Sequence, residues 1–230
     1  MENTVLVVGG GMGGLVLARA LARLDIQVYI LERSDRLRGV GAGITLGANA
    51  LRLLEELGLG AAIHERGSSL SMGAITDERA RLLSLADLST IEAQYGRTIA
   101  IERGALHEIL AQGLEDSGHV RVHTNETLAR LETSRSLEAP RDLEATDDTL
   151  FAETTTGRRL RPRAVIGADG LHSVVRQLTF GRVEPRYSGY TCWRWTGHLR
   201  GEPTSMREMW GAGKRVGVVP LANERVYAFF

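Results

Sequence analysis

The sequence predicts an α/β fold that opens on a βαβ unit and passes, near residue 181, into an antiparallel sheet. Three observations carry this expectation. A valine-rich run, Thr4–Val8, leads through clustered glycines into a helical stripe and then a second apolar run, Gln27–Leu31. Two further β-rich runs, Val120–His123 and Ala164–Ile166, are bounded by turn residues. Nine of the twelve aromatic residues lie at or after Phe180, where they alternate with polar residues in short segments.

Each element has its own reason. Thr4–Val8 is apolar throughout and followed by glycines, as a parallel strand buried on both faces reads. Leu15, Leu17, Ala18, Leu21, Ala22 and Leu24 recur at helical spacing, and Asp25 breaks the pattern. A second helix is expected at Ala48–Leu57, closed by Gly58, and a third from about Gly104 to Asp116, stopping before Gly118. Glu132–Asp148 is acidic, polar and aperiodic, and reads as a surface excursion before a strand at Thr149–Thr155. Beyond 181 the segments around Tyr187, Tyr190, Trp193, Trp195 and Trp210 read as short strands. The final RVYAFF reads as a strand without a cap or polar tail, so the expectation is a chain cut or split inside its second domain.

Composition narrows the function classes. At 230 residues the chain is one domain or one and a half, on a scale of ~100–200 residues per domain. It is 43% hydrophobic and 24% charged, enough to build a core without disulfides or a structural metal. Its 28 basic and 28 acidic residues cancel, with no basic run, so no nucleic-acid partner is expected. The single cysteine, Cys192, excludes an intramolecular disulfide and a multi-cysteine metal cluster. The six histidines show no ligand spacing, so no metal is expected. No apolar run approaches the ~18–20 residues of a membrane span, and the N-terminus does not read as a secretory signal. The expected location is therefore cytoplasmic.

The chemistry lies in the glycines. Gly9-x-Gly11-x-x-Gly14 stands directly between a strand and a helix. The first glycine permits a tight turn, the second lets backbone approach a pyrophosphate, and the third lets helix and strand pack closely. The helix N-terminus then offers free N–H groups and a positive dipole end to phosphate. Glu32, at the end of the second strand, is placed to accept hydrogen bonds from ribose hydroxyls. The motif indicates a dinucleotide without distinguishing FAD from NAD. Gly39–Leu46 (GVGAGITL) reads as backbone running close to a flat ligand, or as a bulge or loop. Arg103 stands at a helix start, where the dipole disfavours a cation, so an anionic partner or a surface ion pair is expected. Ala164–Arg176 (AVIGADGLHSVVR) puts Asp169 after a parallel strand, either as a ligand contact or as a helix cap.

Together these segments resemble, in order and over nearly the whole chain, the class A flavoprotein monooxygenases, the aromatic hydroxylases with the p-hydroxybenzoate hydroxylase fold. The resemblance implies a Rossmann-like FAD-binding domain (GR2/PHBH type) over 1–180 and the start of an antiparallel-sheet substrate domain over 181–230. It implies FAD as cofactor, with Gly9, Gly11, Gly14, Glu32, Arg33, Gly43, Thr45, Arg103, Leu128 and Asp169 as binding residues. Arg103 matches the family's flavin-proximal arginine, and Asp169 belongs to its second fingerprint. GKRVGVVPLANERVYAFF is similar to the urate-hydroxylase branch, which implies Arg215 and Tyr227 as catalytic, substrate-pocket candidates. Cys192 and Arg194 stand where that branch has asparagines, so urate itself is not implied.

The implied reaction uses NADH or NADPH as transient co-substrate and dioxygen to hydroxylate a small aromatic or related planar substrate through a flavin hydroperoxide. The family's third Gly-Asp fingerprint does not occur in these residues, which implies a site completed by a C-terminal half or a homo-oligomer partner. Two alternatives stand beside this reading. One is a truncated or split flavoprotein fragment that binds nucleotide without turnover. The other is a related FAD reductase or halogenase, since Trp193-Arg194-Trp195 resembles a halogenase tryptophan pair but is followed by Gly197-His198 instead of Ile-Pro.

Overall fold

A computed structural model describes residues 4–39, 41–134, 149–199 and 205–230. The chain begins with β1 (Thr4–Val8), α1 (Met12–Ala22), β2 (Gln27–Leu31), β3 (Gly43–Leu46) and α2 (Ala48–Glu56). Next come α3 (Gly60–Arg66), β4 (Ser68–Ser69), β5 (Met72–Asp77), β6 (Leu82–Asp87), α4 (Leu88–Tyr95), β7 (Ile99–Glu102) and α5 (Arg103–Ala111). They are followed by β8 (Val120–His123), β9 (Leu128–Thr133), β10 (Leu150–Thr154), β11 (Arg159–Leu160), β12 (Ala164–Gly167) and α6 (Val174–Phe180). The last four strands are β13 (Arg194–His198), β14 (Met206–Gly211), β15 (Lys214–Pro220) and β16 (Arg225–Phe229). Two compact units form, each discontinuous in sequence: Met1–Leu37 with Leu110–Tyr187, and Arg38–Ile109 with Ser188–Phe230.

The first unit is built on a four-stranded parallel sheet, ordered β12-β1-β2-β8. All five residues of β1 are buried, which explains the absence of alternation in its sequence. α1 lays Leu15 and Ala18 toward the core, and Asp25, at φ 57°, makes the left-handed turn into β2. A three-stranded antiparallel sheet, β11-β10-β9, completes the unit. Leu6, Val8, Leu31, Leu128, Ala152 and Leu160 form one buried cluster.

β9 was not legible as a strand, and its ladder shows why. Thr154 pairs with Leu128 and Glu153 with Arg130, so Ala129 is an extra residue, a bulge. The bulge separates Leu128 and Leu131 by three residues while both pack against the same core. Residues 135–148 of the expected surface excursion lie outside the described residues; its first two, Glu132 and Thr133, belong to β9.

The second unit holds a six-stranded sheet, ordered β13-β16-β15-β14-β5-β6, and a small antiparallel sheet, β3-β7-β4. Of the strands expected after residue 181, those holding Trp195, Trp210 and Arg225–Phe229 form, whereas Tyr187, Tyr190 and Trp193 lie outside any strand. β5 and β6 from residues 72–87 join the sheet, with β5 parallel to β14 and every other neighbour antiparallel. Every residue of β6 is exposed, so its sequence carries no buried face to read. Ser68 and Ser69 form the short edge strand β4 on β7. Ala42, Leu70, Ala100, Val219, Leu221 and Tyr227 make this unit's buried cluster. α5 ends earlier than expected, at Ala111, because Gly113 turns left-handed at φ 64°. Parallel sheet, glycine turn and antiparallel sheet together make the Rossmann-like α/β class that the sequence predicts. Among the described residues no helix is long and apolar enough to cross a membrane.

Candidate functional site

In the first unit the strand registers bring two glycine turns together. Val8 is level with Leu31 on one side and Gly167 on the other. The turn Gly9–Gly14 and the turn Gly167–Gly170 therefore leave the same edge of the sheet. Gly9 adopts φ 110°, and a Cβ there would overlap the Ala168 carbonyl. At Gly14 a Cβ would overlap the Gly9 carbonyl oxygen, so this glycine sets how closely α1 approaches β1. Gly11 and Gly13 behave differently: a Cβ at either would meet nothing within 4 Å. Gly11 is the N-cap of α1, no side chain caps it, and the first turn carries no acidic residue. The helix start is thus bare backbone facing open space, with the dipole and donor geometry that suit a phosphate.

Glu32 closes this turn. Its carboxylate accepts from the Gly10 N–H at 2.8 Å and from the Ser34 N–H at 2.8 Å. Both bonds orient the group and leave further lone pairs on each oxygen for ribose hydroxyls. Arg33 is exposed beside it. Asp169 accepts from Ser173 Oγ at 2.6 Å and from the Val174 and Val175 N–H groups at 2.6 and 3.2 Å. These bonds hold the start of α6 and make Asp169 a brace for the turn that touches Gly9. Leu128, predicted as a cofactor contact, is 1% exposed and belongs to the buried cluster of this unit.

One group of this region was missed by sequence reading. The segment after β8 is stitched to the segment after β2: Asn125 N–H donates to the Ser34 carbonyl at 2.9 Å, and Glu126 N–H to the Glu32 carbonyl at 3.0 Å. The Glu126 carboxylate is buried, accepts from Thr154 Oγ1 at 2.5 Å and from Thr156 Oγ1, and lies 3.4 Å from Arg158 Nε. Burial alone would raise its pKa, but the two hydroxyls, with Arg158 and His123, outweigh that and hold it below the ordinary value. Its partners are about thirty residues away in sequence, and Asn-Glu-Thr has no pattern that announces them. His123 stacks on Tyr29 with ring centroids 5.3 Å apart.

The second unit holds the other candidates. β3 and β7 pair antiparallel, with Gly43 opposite Glu102, which sets Arg103 next to Ala42; its N–H donates to the Ala42 carbonyl at 2.9 Å. The Arg103 guanidinium lies over Gly41, where a Cβ would come within 3.1 Å of Nη1. Its Nε is buried and has no hydrogen-bond partner among the described residues. A buried guanidinium N–H without an acceptor is costly, and an anionic or carbonyl-bearing ligand would satisfy it. Gly43 is needed for a different reason: a Cβ there would sit 2.7 Å from Cβ and Cγ of Tyr227. Thr45 is exposed on the same strand. The first unit thus offers a bare helix start and a carboxylate with spare lone pairs, groups that suit the phosphates and ribose of FAD. The second carries a buried arginine N–H without an acceptor among the described residues.

Tyr227 is 7% exposed; its hydroxyl accepts from Arg194 Nη1 at 2.9 Å, and its ring contacts Phe229 at 5.6 Å. Burial pushes its pKa up. Arg215 is exposed, lies over the Phe229 ring at 5.7 Å, and lines a recess of about 610 Å³ with Tyr190, Cys192, Trp210 and Phe229. Arg215 and Tyr227 thus share one sheet face with Phe229 between them, and Arg194 is the added partner that sequence reading treated only as a departure.

Comparison with known proteins follows the same lines. The family described as FAD binding domain matches residues 2–226. The chain is similar to aurachin C monooxygenase/isomerase of Stigmatella aurantiaca, 37% identical over 98% of this chain and 56% of that protein. It is also similar to 3-hydroxybenzoate 6-hydroxylase 1 of Aquipseudomonas alcaligenes, 33% identical over 84% of this chain and 47% of that one. Among solved structures it resembles Klebsiella pneumoniae HpxO complexed with FAD and uric acid, with a TM-score of 0.82 and 25% identity over 99% of this chain and 55% of the other. The chain spans about half the length of the curated relatives it matches.

Proposed function

Because the chain belongs to the FAD binding domain family, we propose that it is the cofactor-binding part of an FAD-dependent monooxygenase that hydroxylates a small planar aromatic compound. The observation that carries this reading is the junction of the two glycine turns, with Gly9 against Ala168 and open backbone at Gly11 and Gly13. When bound, FAD would supply the redox chemistry, with NADH or NADPH as hydride donor and dioxygen as oxidant, one oxygen atom going to the ring and the other to water. The relatives named for 3-hydroxybenzoate and uric acid support a planar, electron-rich substrate.

In this reading the α1 N-terminus and Gly11 receive the pyrophosphate, and Glu32 accepts hydrogen bonds from the ribose hydroxyls. Arg33 flanks the adenosine, Leu128 packs the core of the same unit, and Asp169 braces the turn. Gly43, Thr45 and Arg103 belong to the flavin end, where Arg103 offers a fixed cation and an unused N–H. Arg215 and Tyr227 orient the substrate from the sheet face, and the aromatic rings beside them keep water from the reacting atoms. Cofactor residues are assigned mainly to 1–180 and substrate residues to 181–230.

The reading is tested by aerobic oxidation of NADH and NADPH with a panel of hydroxylated benzoates and quinolones, with product analysis. Substrate-stimulated oxidation that yields a product one oxygen heavier supports it. Oxidation that ends only in peroxide for every compound contradicts hydroxylation by this chain. A second expected result concerns Arg103. Arg103→Met should weaken FAD binding about tenfold or more, corresponding to ~1.4 kcal/mol or above. Because Nε has no partner among the described residues, the melting temperature of FAD-free protein should stay nearly unchanged or rise. Calorimetric titration with FAD beside thermal melts checks both halves.

A further inference from the structure

Strand register defines the sheet face that carries Tyr227. Tyr227 is level with Thr196 and Val219, and Phe229 with Arg194 and Gly217. Arg215 lies two residues before Gly217 and pairs with Trp210. Since side chains alternate along a strand, Arg194, Trp210, Arg215, Tyr227 and Phe229 occupy one face. The two rings of Tyr227 and Phe229 meet at a tilt of 38°. A guanidinium stands over each: Arg194 is 6.0 Å from the Tyr227 centroid, and Arg215 is 5.7 Å from that of Phe229.

The cations of this face are unequally neutralised. Arg225, level with His198, is paired with Glu102 at 2.7 Å. Arg215 has a carboxylate at 3.9 Å, that of Glu208, which already accepts from Trp210 Nε1 at 2.8 Å. Arg194 has no carboxylate within ion-pair distance among the described residues; its hydrogen bond goes to the Tyr227 hydroxyl. A guanidinium carries only donors, so the phenolic oxygen is the acceptor there. The phenol's own proton is then directed away from Arg194.

We propose that Arg194 is a positioning and selectivity residue of this face: it fixes the Tyr227 hydroxyl as a donor and, with Arg215, selects a flat aromatic ligand bearing an anionic oxygen group over its neutral counterpart. This rests on the reading of Arg215 and Tyr227 as substrate-facing. Two incompletely neutralised guanidiniums beside an aromatic floor suit a carboxylate or an enolate, whereas an amide of the same shape gains the stacking but not the charge-assisted hydrogen bonds.

The probe pair is 2-aminobenzoate and 2-aminobenzamide, which share a ring and an amino group and differ in charge. Binding to the FAD-loaded full chain is followed by quenching of tryptophan fluorescence, since Trp210 lines the recess. The benzoate should bind about tenfold more tightly, ~1.4 kcal/mol. Arg194→Gln should reduce that ratio to about two or less, and Arg194→Lys should restore part of it, which a loss of packing would not do. Equal binding of both probes by the wild-type chain, or an unchanged ratio in Arg194→Gln, overturns this inference alone. Binding of neither probe at ~10 mM, beyond any specific affinity, overturns the substrate-facing reading together with it.

Discussion

A Gly14→Ala variant is expected to purify without FAD and to melt below the wild-type chain. The added Cβ would overlap the carbonyl oxygen of Gly9, and both partners are backbone, so no side chain can swing away. Relief requires α1 to move off β1, at ~1–3 kcal/mol for an overpacked core contact. The same movement displaces the helix start that would receive the pyrophosphate, so FAD affinity should fall by ~100-fold or more, about 2.7 kcal/mol. Gly13→Ala is the informative control. Its Cβ meets no protein atom within 4 Å, so FAD-free stability should hold or rise, as Gly to Ala within a helix usually does. Any loss of FAD affinity in that variant reports the ligand's own occupancy of the space.

Glu126→Ala should destabilise the FAD-free protein by ~2–3 kcal/mol at neutral pH, since buried hydrogen bonds to a charged group are strong and the mutual contact of the two hydroxyls replaces only one of them. Thr154 Oγ1 and Thr156 Oγ1 both lose their carboxylate acceptor, and Arg158 loses its counter-charge. The pH dependence has a definite sign. The folded-state pKa of Glu126 lies below the ordinary glutamate value, so its contribution is present in full above the unfolded value of ~4.3. That contribution is lost as pH falls through the folded pKa, because protonation removes the charge that the hydroxyls and Arg158 favour. Urea midpoints across the acid range should therefore fall less steeply for Glu126→Gln than for the wild-type chain. Parallel slopes would show that Glu126 carries no such linkage.

What the sequence made legible was local. β1, the glycine turn, α1 and β2 lie within thirty-one residues, and the steric requirements at Gly9 and Gly14 are set there or by the adjoining strand, so the glycine motif between strand and helix could be read in order. The turn around Asp169 was legible as a turn, with cap and ligand contact both open. Its contact with Gly9 depends on β12 pairing with β1, across more than 150 positions. β5 and β6 escaped because their place depends on parallel pairing with β14 and because β6 buries nothing. Arg194 was visible only as an unusual residue; that it grips Tyr227, thirty-three positions on, follows from strand order. Gly43 sits in the same category, since what forbids its side chain is the Tyr227 ring.

The most direct test of the cofactor site is calorimetric titration of FAD-free protein with FAD and with FMN, which lacks the adenosine and one phosphate. If the Gly9–Gly14 turn, Glu32 and the Gly167–Gly170 turn hold adenosine and pyrophosphate, FAD binds once per chain and FMN binds at least ~100-fold more weakly. Equal binding of the two, or no binding of FAD by the wild-type chain, would contradict that site.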